Sequence, residues 1–97
     1  MKKVKKVVVL NDVAQDLNNG KEFYELKEPG VGDYFWDSQM ADIKSLIIYS
    51  GIHTIKKGYY RMPAKRFPYS IYYTIEDGVA HVIAVLPMRK DPLWIEE

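Results

Sequence analysis

Residues 66–75 alternate: Tyr69, Ile71, Tyr73 and Ile75 fall on one side of an extended chain, Ser70, Tyr72 and Thr74 on the other. That is the two-residue period of a β-strand, which a helix cannot accommodate. Glu76-Asp77-Gly78 follows. Asp-Gly readily takes the φ > 0 conformations of a type I′ turn, so the chain is expected to double back there. Val79–Leu86, apolar on both faces, is then the partner strand, placed centrally in a sheet and covered by helices on at least one side. Pro87 has no N–H to give and ends the pairing. A further β-like run, Gly58–Met62, precedes this hairpin.

The N-terminal half follows other periods. Residues 3–10 are rich in valine and read as a first strand, with Lys2, Lys3, Lys5 and Lys6 protecting an edge. Asn11 or Asp12 is suited to cap a helix, in which Val13, Leu17 and Tyr24 share one face. Asn18-Asn19-Gly20 marks a point where that helix can break, since Gly costs about 1 kcal/mol against Ala in a helix interior. After Pro29-Gly30, Trp36, Met40, Ile43 and Ile47 step by four, three and four along one stripe, widened by Phe35 and Leu46, and Ser50-Gly51 supplies a stop. Two amphipathic helices about a Pro-Gly turn form an antiparallel hairpin. The expected fold is α+β: a helix hairpin packed on a small antiparallel sheet in the order β-α-α-β-β-β. One domain spans residues 1–97, with a short C-terminal turn from Asp91-Pro92.

Net charge is +1, but it is unevenly spread. Residues 11–49 carry eight acids against three lysines; residues 50–90 carry seven bases against Glu76 and Asp77. Such asymmetry marks a basic face for nucleic acid or an acidic partner, or reflects acids on helices and lysines on strands. The absence of cysteine excludes disulfides and thiol chemistry and agrees with a reducing cytoplasm. Val7–Leu10 and Val82–Pro87, the longest apolar runs, are far short of the roughly 18 residues that a membrane span needs.

Signals for independent chemistry are sparse. Gly30-Val31-Gly32 lacks the remainder of a phosphate loop, and His53 and His81 are too isolated to announce a metal site, so no cofactor is expected. Tyr59, Tyr60, Tyr69, Tyr72 and Tyr73 interleave with Arg61, Lys65 and Arg66. Aromatics alternating with bases can stack nucleobases and hold phosphates, and they are equally what an antiparallel sheet uses for packing.

Several fragments in order resemble the RelE/ParE superfamily of toxins, the plasmid-stabilisation type. They are Phe23-Tyr24-Glu25 with Pro29-Gly30-Val31-Gly32-Asp33 and Phe35; Asp42-Ile43 with Leu46; Arg66-Phe67-Pro68-Tyr69 with Ile71-Tyr72-Tyr73; and Ala84-Val85-Leu86 with Arg89-Lys90-Asp91-Pro92. The resemblance implies a bacterial, cytoplasmic, growth-inhibiting toxin neutralised in a hetero-oligomer by a cognate antitoxin. RelE-like members cut mRNA on the ribosome; ParE-like members poison DNA gyrase.

Cleavage of RNA needs a base, an acid and cations about the phosphate. The candidates for catalysis are Arg66, Arg89, His81 and Tyr73; for binding a target or nucleic acid they are Arg61, Lys65, Arg66, Arg89, Lys90 and Trp94. Two departures weigh against cleavage. Many relatives have histidine after the Val-Leu of the last strand, where this chain has Pro87, and RelE has arginine where Ser70 follows Tyr69. Tyrosine, with a pKa of about 10, is a poor base at neutral pH. The expectation is a non-nuclease, ParE-like toxin, with an mRNA endonuclease or an inactive, partner-binding member as alternatives.

Overall fold

The computed structural model describes residues 4–89. Its elements are β1 (Lys6–Val9), α1 (Asn11–Lys27), α2 (Val31–Lys44), α3 (Leu46–Tyr49), β2 (Thr54–Lys56), β3 (Tyr59–Pro63), β4 (Tyr69–Glu76) and β5 (Val79–Pro87). The expected helix hairpin on a sheet is present, with two additions: the single-turn α3 and the short β2. The sheet has five strands in the order β1-β5-β4-β3-β2. It is mixed, since β1 pairs parallel to β5 while the other pairs are antiparallel. The predicted turn has φ of 53° at Asp77 and 75° at Gly78, and an unpredicted one of the same kind, Lys57 and Gly58 with 54° and 87°, joins β2 to β3.

α1 is unbroken through Asn18-Asn19-Gly20. Gly20 lies under α2, where a Cβ would stand 2.4 Å from Phe35 Cζ and 3.2 Å from Tyr69 Oη. Close approach of the two helices and β4, rather than a break, is what requires glycine there. At the tip of the hairpin, Gly30 has φ 91°. The Glu25 carboxylate accepts the N–H groups of Gly30 (3.0 and 3.1 Å) and Gly32 (2.9 Å). A side chain of α1 thereby satisfies the open N-terminus of α2. At the start of α1 neither Asn11 nor Asp12 caps. Leu10 holds the N-cap position without a side-chain bond, so the helix begins one residue earlier than a cap at Asn11 requires.

The buried stripe of α2 is rotated from the apolar pattern. It comprises Gly32, Phe35, Ser38, Gln39, Asp42 and Ile43, while Trp36 and Met40 are half-buried and Ile47 is exposed. The pattern gave no weight to the polar Gln39 and Asp42, which the fold encloses. Asp42 accepts the backbone N–H of Lys65 at 3.0 Å, tying α2 to the loop after β3.

A second tie joins the segment after α3 to β4. The Tyr73 hydroxyl accepts the N–H of Gly51 (2.9 Å) and lies 2.5 Å from His53 Nδ1. The hydroxyl and Nδ1 share one hydrogen bond, whose donor is set by the imidazole tautomer. Burial pushes the His53 pKa down and the Tyr73 pKa up, so both groups stay uncharged at neutral pH.

Two stability predictions follow from these contacts. Gly20→Ala forces Phe35 out of its seat and is expected to cost about 1–3 kcal/mol, the usual range for overpacking, measured by urea unfolding. For His53, the unfolded state takes up a proton near pH 6.5 and the folded state only lower. The stability that this residue contributes is complete above the unfolded value and is lost as pH falls through the folded one. His53→Gln is expected to flatten the unfolding midpoint between about pH 7 and 5 relative to the parent chain.

Candidate functional site: two faces and a groove

Strand alternation and register place the candidate residues. In an antiparallel pair, residues directly opposite share a face. One face of the sheet carries Tyr69, Ile71, Tyr73, Ala80, Val82 and Val85 and packs against Val13, Leu17, Phe35, Ile43 and Leu46 of the helices. The other face carries a smaller cluster, with Tyr72 and Ala84 buried among the half-buried Tyr59, Ile83 and Leu86. On that second face Arg61 stands opposite Tyr72, and Tyr72 opposite Ala84. The neighbouring row holds Tyr59 on β3 together with Thr74 and His81, paired on β4 and β5.

β5 changes sides midway. Tyr72 pairs with Ala84 and Tyr73 with Val82, so Ile83 is an extra, bulged residue. Before it Ala80 and Val82 face the helices; after it Val85 does. A bulge bends the strand and restores alternation with inverted parity. Pairing with β1 ends at the same place, at Val9 opposite Val82. Beyond it the N–H of Val85 is taken by Asp16 Oδ2 at 3.0 Å, a side chain of α1 replacing the missing strand. A groove of about 480 Å³ opens between α1 and this end of β5, lined by Phe23, Tyr24, Pro68, Leu86 and Pro87 with Asp16 and Arg89 at its margins. Phe23 is exposed beside it, and Leu26, one turn further, is 89% exposed.

The sites expected from sequence are therefore dispersed. Arg61 and His81 share the second face. Tyr73 is on the helix side, fully buried, with its hydroxyl committed to Gly51 and His53. Lys65 and Arg66 lie in the β3–β4 loop, where Arg66 Nη1 donates to Tyr34 Oη of α2 at 3.1 Å. Arg89 borders the groove. Lys90, Trp94 and the expected C-terminal turn lie outside the described residues. Sequence reading missed the groove, whose parts come from α1, the β3–β4 loop and β5; only Phe23 and Leu26, apolar and off the Val13–Leu17 face, hinted at it. Among the described residues, no group of three or more His, Asp or Glu side chains is placed to hold a metal ion, and no helix is long and apolar enough to cross a membrane.

No family model matches the chain, and no curated protein does. Among solved structures, one described as the chromosomal ParDE TA system from P. aeruginosa superposes with a TM-score of 0.76 at 13% identity. The match covers 84% of this chain and 94% of that one. The chain shares the fold of that protein, and its helix hairpin packed on a sheet is the RelE/ParE-like arrangement that the resemblance implied, with β2 as a fifth strand.

Proposed function

We propose that this chain is the toxin of a bacterial toxin–antitoxin pair, acting in the cytoplasm and held inactive by a cognate antitoxin. The observation that carries the reading is the common fold with the ParDE system over 84% of this chain and 94% of that one. The groove between α1 and β5 supports it: an apolar trough that continues along Phe23 and Leu26 suits the apolar face of an antitoxin segment.

The ParE-like mode, inhibition by binding an essential target such as DNA gyrase, is the one we favour over cleavage. The buried Tyr73 phenol, pushed up in pKa, is unsuited to take a proton from RNA, and Pro87 occupies the end of β5. The alternative, ribosome-dependent mRNA cleavage, draws on Arg61 and His81 sharing the second face beside Tyr59 and Tyr72. There a cation and an imidazole adjoin aromatic surface, the parts that phosphate and base recognition use.

Induced expression is expected to arrest growth, with relief on co-expressing the antitoxin, gyrase-linked DNA breaks and intact mRNA. Harmless expression of a folded chain would overturn the toxin reading. Cuts within translated codons, abolished by Arg61→Ala or His81→Ala, would instead establish the nuclease.

A further inference from the structure

The second face of the sheet is more deeply buried than its own strands account for. On it Ser70 stands opposite Leu86, and Tyr72 opposite Ala84. Ser70 is 0%, Tyr72 2% and Ala84 6% exposed. The residues packed around Tyr72 and Ala84 are Tyr59, Ile83 and Leu86, all strand residues and themselves half-buried, while the helices pack on the other face. A phenol ring on a bare sheet keeps one side in water, and Tyr72 keeps almost none. The Ser70 hydroxyl has no hydrogen-bond partner among the described residues, which fits an apolar cover better than a polar one.

The two ends of the chain are left to supply that cover. Residues 1–3 lead into Lys5, whose N–H donates to the Gly78 carbonyl at the turn between β4 and β5. From that turn back to Ser70 is about 20 Å along β4, at ~3.3 Å per residue, beyond what three residues span. Residues 90–97 leave from the opposite end. The N–H of Met88 donates to the Pro68 carbonyl at 2.9 Å, so β5 hands the chain on two residues from Ser70. From Arg89 to Trp94 the chain can reach roughly 16 Å, and Tyr72 is only about 7 Å beyond Ser70. This segment brings three adjacent apolar side chains, Leu93, Trp94 and Ile95. Glu96 and Glu97 follow, and Arg61 stands in the Tyr72 row to receive a carboxylate.

We propose that residues 91–97 fold back over the second face, with Trp94 seated on Tyr72 and Ala84, as a strap that shields the Arg61 row. Whatever binds this face has first to lift the strap, so the chain's own C-terminal segment sets the accessibility of Arg61 and Tyr59. Trp94 then serves the chain itself, not, as the sequence led one to expect, an external target. The inference concerns contacts within one chain and does not depend on the toxin reading.

The test is NOE spectroscopy on the full chain with labelled alanine and leucine methyls. Contacts are expected from the Trp94 ring to the Ala84 and Leu86 methyls, and they should persist on dilution. In Trp94→Ala, broadening of the Ala84 methyl by a neutral gadolinium chelate should rise several-fold over the parent chain. The Ala80 methyl, buried on the helix side, should stay protected in both. If that variant does not fold, the contacts in the parent chain decide alone. Trp94 contacts to Phe23 or Tyr24 in the α1–β5 groove, or no contact with the second face, would overturn the proposal. So would contacts seen only between differently labelled copies, or an Ala84 methyl broadened equally in the parent and the variant.

Discussion

The β4–β5 ladder pairs eight residues of one strand with eight of the other and leaves Ile83 over. The bulge lets β5 place Ala80 and Val82, and then Val85, under the helices, so both ends of the strand serve one core. It also coincides with the end of β1. Because β1 stops at Val9, the N–H of the buried Val85 has no strand partner on that side, and Asp16 satisfies it from α1. That bond ties α1 to β5 at Asp16, and Phe23 and Tyr24 line the groove further along the helix. The groove is the space between helix and strand.

The seating of the helix hairpin depends on close contacts of another kind. Gly20 admits the Phe35 ring, which meets Tyr69 edge-on at 4.9 Å and stacks on Tyr24 at 5.3 Å. Burial, with Tyr24 nearby, pushes the Tyr69 pKa up, which keeps this aromatic cluster neutral. Glu25 at the tip and Asp42 at the far end of α2 each use a carboxylate to accept backbone N–H groups. The acids of the N-terminal half are thus partly structural. Of the cations of the C-terminal half, Lys56, Lys57 and Arg61 lie in β2, β3 and their turn, Lys65 and Arg66 in the β3–β4 loop, and Arg89 at the groove.

Much of this was legible in the residues because the signals are local. The alternation of Tyr69–Ile75, the Asp77-Gly78 turn, the Pro29-Gly30 hairpin and the stop at Ser50-Gly51 each depend on a few neighbouring residues. Together they set the order of elements. β2 escaped notice because three residues carry too little pattern. Lys57-Gly58 between Thr54-Ile55 and Tyr59-Tyr60 was its one signature.

Sequence by itself determined the class of fold, the hairpins, and which residues of β4 share a side. Only tertiary structure decided which side the helices cover, because period two fixes relative and not absolute facing; this is what buries Tyr73 and turns Arg61 and Tyr72 to the second face. It likewise decided that α1 runs through Gly20, that β1 lies parallel to β5, and that Gln39 and Asp42 lie inside. Those outcomes depend on contacts between residues far apart in the chain, to which no local pattern is sensitive.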